Sequence, residues 1–373
     1  MEPLAVSTPH RGPSLPNVAI AQTNNPDADW RDLLRRADPR SAVAGTVAGT
    51  IDPGFNRKSL GENYVPIFNT NELAEVSRLL HASGSEGARA AHWLARAMST
   101  GGYRKVNLPA DSAPVALLRE YFPNFSCVLD CIEIQLALTR HQRPDDFHFT
   151  PMLLLGAPGI GKTYFAEKLA RVFRTATRRI SMASAQGGFE IGGTSQFWSN
   201  STPGAVFRLL AENGAANSVL VLDELDKCEP DRHYPVDGPL IDLLEPRSSR
   251  RFRDQSVESE FDASKLVIVA TANELSEVTA PIRSRFEVFE ILPPDLRGRE
   301  QVIRALWAEL LRNVSCKVSM SRGAARTIRD SDLSPREILR TLRTALGRAL
   351  RDGRTEIASL ELLNSPCKNR IGF

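Results

Sequence analysis

The chain has 373 residues, with 47 Lys and Arg against 44 Asp and Glu, a formal net charge of +3. That length holds two or three modules, and so small a charge excess demands no polyanion partner. No apolar run reaches transmembrane length and the N-terminus lacks the charged and apolar regions of a secretory leader, so a soluble, cytoplasmic protein without a membrane partner is expected.

Residues 1–65 are rich in Pro, Ser, Asn and Ala, carry few periodic apolar positions, and are expected to be mostly disordered. Over 66–110 the spacing predicts a small helical region. Leu73, Val76, Leu79 and Leu80 form one stripe, and Trp93, Leu94 and Met98 a second after Gly84 and Gly87. A helix starts near Ser112 with Pro114 in its first turn, stops at Pro123 and resumes over 125–138. On it, Cys127 and Cys131 read as buried thiols beside Val128, Ile132 and Ile134. With Cys228, Cys316 and Cys367 elsewhere and no C-x-x-C pair, zinc is not expected.

From Met152 the rhythm becomes strand, helix, strand. The runs 152–155, 180–182, 219–222 and 266–270 are short and apolar, as central strands of a covered parallel sheet are. After Pro293 and Pro294 the pattern is helical, over 296–311, 321–328 and 335–350. The expected organisation is therefore an α/β nucleotide-binding domain over 111–293 and a small helical lid over 294–373. On the last helix Ile338, Leu342, Ala345, Leu346 and Ala349 take one side and Arg340, Arg343 and Arg351 the other. No aromatic residues interleave with these arginines, which argues for a solvated face or subunit contact and against nucleic acid.

The chemistry begins where the first strand stops. Gly156, Ala157, Pro158, Gly159, Ile160, Gly161, Lys162 and Thr163 fill the pattern G-x-x-x-x-G-K-[ST], and Tyr164 follows on a helix with Phe165, Leu169, Val172 and Phe173 on one side. Such a loop curls its N–H groups around phosphates, Lys162 reaches β/γ oxygens, and the Thr163 hydroxyl suits Mg²⁺. The second element, 219–224, is an apolar strand delivering Asp223 and Glu224 at its C-terminal end. ATP hydrolysis needs one carboxylate near Mg²⁺ and another to polarise water, roles that suit Asp223 and Glu224 in that order. The third, 266–273, ends in Asn273, an amide able to meet the γ-phosphate or orient the water. The fourth, 281–291, sets Arg283 and Arg285 before a strand, for surface ion pairs or for a neighbour's site.

Together these elements resemble the AAA+ ATPases, most closely the ATPase part of the Lon protease family, over about residues 120 to 350. GAPGIGKT resembles the Walker A motif, VLVLDE the Walker B motif and VIVATAN the sensor-1 strand. SRFEVFEI is similar to the segment carrying the arginine finger, which falls on Arg285, with Arg283 beside it as runner-up. The segment 334–340 resembles the sensor-2 helix and puts Arg336 near the phosphates of its own subunit. The resemblance implies a P-loop αβα fold with a helical lid, ATP and Mg²⁺ as cofactors, and a homo-oligomeric ring, usually of six. It also implies a pore-lining aromatic that grips polypeptide; Trp198 falls there, with Phe197 beside it, although Ser199 and Asn200 follow where the family more often has an apolar residue. With Phe373 following soon after the lid, the Lon peptidase is expected to be absent. The expected activity is thus an ATP-driven ring acting on a protein substrate or adaptor without proteolysis of its own. A nucleic-acid-directed ATPase of loader type and a nucleotide-gated assembly platform remain alternatives.

Overall fold

The computed structural model describes residues 63–82, 88–99, 101–185, 187–195, 201–228, 235–312, 314 and 317–358. At the N-terminal side β1 (Tyr64–Pro66), α1 (Thr70–Ala82), α2 (Ala88–Ser99) and β2 (Tyr103–Lys105) form a unit in which β1 and β2 pair antiparallel. Leu73, Leu80 and Leu94 are buried as their stripes predict, but Leu79 is exposed. Arg104 of β2 is fully buried and ties this unit to the nucleotide region. Its Nε donates to Leu210 O at 2.9 Å, and Nη1 to Gly101 O and Tyr103 O at 2.6 and 2.9 Å. Burial, helped by the charge of Arg96, pulls its guanidinium down to about 10.

Next come α3 (Ala113–Tyr121) and α4 (Ser126–Thr139), split by a 3₁₀ turn at Pro123–Phe125. The inward face of α4 is Val128, Leu129, Ile132 and Leu136. That rotation corrects the expectation for its other face: Cys127 and Ile134 are exposed and Cys131 is half-buried.

The nucleotide region then runs β3 (Met152–Leu155), α5 (Lys162–Phe173), β4 (Thr177–Ser181), α6 (Phe189–Gly192), α7 (Ala205–Glu212), β5 (Val219–Asp223) and α8 (Asp237–Leu244). It continues through the hairpin β6 (Phe252–Asp254) and β7 (Ser259–Phe261) to β8 (Val267–Ala272), α9 (Ala280–Arg283) and β9 (Glu287–Glu290). Five strands make one parallel sheet in the order β4-β5-β8-β3-β9. All residues of β5 and β8 are buried, as their unbroken apolar runs require. The edges differ. In β4 only Ile180 is buried, so Thr177, Arg178 and Arg179 hide the strand's start from an apolar pattern. At the other edge β9 reads Glu-Val-Phe-Glu and has no buried residue; acidic side chains on an edge also discourage further pairing.

Beyond Pro294 lie α10 (Leu296–Arg312), β10 (Ser319–Met320), α11 (Arg322–Arg329), α12 (Pro335–Arg351) and β11 (Glu356–Ile357). The helices match their predicted spans closely, and the addition is a two-residue parallel ladder between β10 and β11. The five predicted apolar residues of α12 are all buried, in a cluster with Ile303, Trp307, Ala324 and Ile328. This cluster is separate from the large one around the five-stranded sheet, which also takes in Val65, Leu73 and Leu94. α12 begins with a capping box: Ser334 accepts from Glu337 N, and the Glu337 carboxylate accepts from Ser334 N. Among the described residues no helix is long and apolar enough to cross a membrane.

Candidate nucleotide site

Parallel strands bring the C-terminal ends of β3, β5 and β8 to one edge of the sheet, where ligands of open α/β folds bind. Leu155 pairs with Ala272 and Leu222 with Ala270, so the residues just beyond them are neighbours. The turn after β3 needs its glycines for distinct reasons. Gly161 takes φ 109° to launch α5, a conformation that side chains resist. Gly159 takes φ 80°, and a Cβ there would crowd Ser334 Oγ at 3.2 Å, just before α12.

Four predicted residues meet in two direct pairs, Lys162 with Asn273 and Thr163 with Asp223. Lys162, only 7% exposed, donates to Gly156 O at 2.6 Å, Ala157 O at 3.1 Å and Asn273 Oδ1 at 2.9 Å. Thr163 Oγ1 donates to Asp223 Oδ1 at 2.6 Å. Glu224 projects into solvent just beyond, its N–H donating to Thr271 Oγ1 at 3.0 Å. It has φ 57°, a left-handed conformation costly for a residue with a Cβ. Arg336 approaches from α12, its N–H donating to Gly159 O at 3.4 Å. The N-termini of α5 and α12 therefore converge on one loop, and both dipoles favour an anion there.

Burial pushes the Lys162 amine down; Asp226, Asp223 and Glu224 oppose that, and Arg336 adds to it. The same balance places a carboxylate cluster and the Arg336 guanidinium within electrostatic range of one ammonium. Tyr164 turns away from the loop. Its hydroxyl bonds Glu309 of α10, which also accepts from Lys168 Nζ at 2.9 Å. Arg285 belongs elsewhere: its Nη1 donates to Pro281 O at 2.6 Å and its Nε pairs with Glu245 at 3.5 Å. Phe197 and Trp198 lie outside the described residues.

Three residues were not anticipated. Thr271 donates to Asp223 Oδ1 at 2.7 Å; a lone hydroxyl in the apolar strand 267–272 was its signal. Asp226 Oδ2 accepts from Asn273 N at 3.0 Å and Glu274 N at 3.2 Å, holding the turn after β8 against the one after β5. Arg179 Nη2 pairs with Asp223 Oδ2 at 3.0 Å, a contact that only the strand register reveals.

The donor set fits MgATP. A hydroxyl and a carboxylate oxygen 2.6 Å apart are the hard ligands Mg²⁺ takes. The buried Asp226 Oδ1 has no hydrogen-bond partner among the described residues.

The base of the segment that carries Trp198 is described on both sides. Thr194 and Thr202 exchange bonds, with Thr194 N donating to Thr202 O at 3.1 Å and Thr202 N to Thr194 Oγ1 at 2.7 Å. Beneath them Asp254 of β6 is fully buried and accepts from Gly204 N at 2.7 Å, Ser256 N at 2.9 Å and Val257 N at 3.3 Å. Burial pushes this carboxyl up to about 7, outweighing the three N–H donors and the charge of Arg208. Between pH 4 and pH 7 the folded chain therefore holds a proton at Asp254 that the unfolded chain has released, so stability falls as pH rises. Over pH 5 to 8 the loss from this group is about 2–3 kcal/mol. Asp254→Asn should remove that share of the slope, read as unfolding free energy from denaturant titrations at the two pH values. An unchanged slope would contradict the assignment.

A phosphate loop, an apolar strand ending in two acids, and a following strand ending in Asn on one parallel sheet give this region of the chain a P-loop fold of the AAA type. Residues 152–294 match the family model described as "ATPase family associated with various cellular activities (AAA)". This region is related to the ATPase region of Lon proteases. Identity is 33% over 140 residues with Lon protease of Fusobacterium nucleatum, covering 38% of this chain and 18% of that protein. It is 35% over 143 residues with Lon protease of Halothermothrix orenii, again 38% and 18%. With Lon protease 1 of Bacillus subtilis it is 32% over 140 residues, with the same coverage. The chain thus spans less than a fifth of the length of these relatives. Among solved structures, a mutant RuvB of Thermotoga maritima aligns with a TM-score of 0.47 and 16% identity, over 66% of this chain and 70% of that one.

Proposed function

We propose that this chain is an ATP hydrolase that works as a homo-oligomeric ring, of six subunits by analogy with its family, and uses ATP to remodel or unfold protein substrates in the cytoplasm. The observation that carries the reading is the meeting of Lys162, Thr163, Asp223 and Asn273 at one sheet edge, in a region of AAA type. Gly156 to Thr163 would enclose the phosphates, with Thr163 and Asp223 holding Mg²⁺; the Tyr164 side chain is engaged with Glu309 instead. Bound there, Mg²⁺ would neutralise charge on the phosphoryl oxygens. Glu224 takes the proton of the attacking water, Asn273 orients that water, and Arg336 compensates phosphate charge from the lid. Arg285 serves the neighbouring subunit. The nucleotide domain of 111–293 and the lid of 294–373 are separate modules, a division that the two hydrophobic clusters favour.

The substrate reading rests on Trp198. Unfolded polypeptide should stimulate ATP turnover several-fold, and Trp198→Ala should abolish that stimulation while leaving unstimulated turnover intact. Stimulation by DNA or RNA instead would assign the motor to nucleic acid. ATP-dependent oligomers whose turnover responds to neither, with Trp198→Ala silent, would make the chain an assembly platform.

A further inference from the structure

Asp223 is almost fully buried, yet its two oxygens are used very differently. Oδ1 takes two neutral hydroxyls, Thr163 Oγ1 at 2.6 Å and Thr271 Oγ1 at 2.7 Å. Oδ2 takes a charged partner, Arg179 Nη2 at 3.0 Å. A buried carboxylate needs a countercharge; Lys162 lies within electrostatic range, and Arg179 is the cation in direct contact with Asp223. The strand register explains how. Ser181 pairs with Asp223 and Arg179 with Val221, so Arg179 lies two residues back on the same face, and a long side chain spans the step. Its neighbour Arg178 alternates to the other face and pairs with Glu212 at 2.8 Å.

The pair is asymmetric. The Asp223 side chain is 7% exposed, whereas that of Arg179 is 52% exposed, on an edge strand. An exposed guanidinium can swing into water at little cost; the carboxylate cannot follow it. A cation arriving with the phosphates meets Thr163 and Asp223 with Arg179 already in contact.

We propose that Arg179 is the resident counter-ion of Asp223, a positioning residue that Mg²⁺ displaces when nucleotide enters, so that it sets the Mg²⁺ concentration at which the site closes on ATP. This rests on the nucleotide reading above. In it Arg179 stabilises the site until nucleotide enters, holds the Asp223 carboxylate toward Thr163, and opposes Mg²⁺ that arrives without nucleotide.

The test is binding of a non-hydrolysable fluorescent ATP analogue to the full chain, titrated with Mg²⁺, for wild type, Arg179→Ala and Arg179→Lys. Arg179→Ala should lower the half-saturating Mg²⁺ concentration roughly tenfold, the factor that about 1.4 kcal/mol represents. Arg179→Lys, which keeps the charge, should stay near wild type. Without nucleotide, Arg179→Ala should also melt at lower temperature than wild type, and millimolar Mg²⁺ alone should recover part of the loss. In an Asp223→Asn background both effects should vanish. An unchanged or raised Mg²⁺ midpoint in Arg179→Ala, with tight binding at saturating Mg²⁺, overturns the counter-ion role and leaves the nucleotide site standing. If wild type binds no analogue at any Mg²⁺ concentration, both readings fall.

Discussion

Glu224→Gln should lower ATP turnover by roughly 10²–10⁴-fold, the range general-base removal covers, while ATP binding persists. The structure separates the two functions. Nothing in the phosphate loop touches the Glu224 side chain, which projects into solvent; its backbone is held instead, the N–H donating to Thr271 Oγ1 at 3.0 Å and the carbonyl accepting from Lys227 N at 2.9 Å. Gln has the same shape and can keep the left-handed backbone at φ 57°, but it cannot take a proton from water. Lys162→Ala makes the contrast: it removes an ammonium that bonds both loop carbonyls and Asn273, so binding itself should weaken. Steady-state turnover and equilibrium ATP binding on the same preparations check both. Normal turnover by Glu224→Gln would take the general-base role away from that residue. On the proposed reading, the same variant in ATP should retain a bound polypeptide, identified after pull-down.

The residues that sequence and structure both bring together at this site share one property: local chain geometry fixes where each of them points. A glycine-rich turn between an apolar strand and a helix can aim Lys162 and Thr163 only one way, and a fully buried strand must deliver Asp223 at its end. Central strands were legible for the same reason, since burial on both faces writes an unbroken apolar run. Edge strands obey no such rule. β4 begins with Thr177, Arg178 and Arg179 because one face of an edge strand needs no apolar residue. Arg179 reaches Asp223 through a register between distant segments, and such pairings leave no mark in either segment alone. Asp254 was hidden similarly. It sits in the short hairpin of β6 and β7, beneath a loop some fifty residues earlier in the chain, and its burial comes from that packing. The outward turn of Cys127 and Ile134 has the opposite lesson: a helix with apolar residues all round does not declare which face is covered.

Arg285→Ala should reduce turnover by roughly 10³-fold, the lower end for an arginine that stabilises a transferred phosphoryl group, with ATP still bound. Within one subunit this guanidinium is held at the end of α8 by Glu245 at 3.5 Å and by the carbonyl of Pro281 at 2.6 Å. It has no bond to Lys162, Asp223 or Asn273. Charge compensation in the same subunit already has a closer donor in Arg336, whose charge Lys162 feels. If Arg285 acts on phosphate at all, it acts across a boundary between copies, and that yields a sharper test than loss of activity. Arg285→Ala subunits keep an intact phosphate loop and lack the guanidinium. Lys162→Ala subunits lack the loop lysine and keep Arg285. Neither alone should turn over ATP, yet a mixture under subunit exchange should recover it, because some boundaries then pair a working loop with a working arginine. Recovery should follow the mixing ratio and disappear if both substitutions are carried by one chain. A mixture that stays inactive while size-exclusion chromatography reports mixed oligomers would confine Arg285 to its own subunit, leaving the pairing with Glu245 as its role.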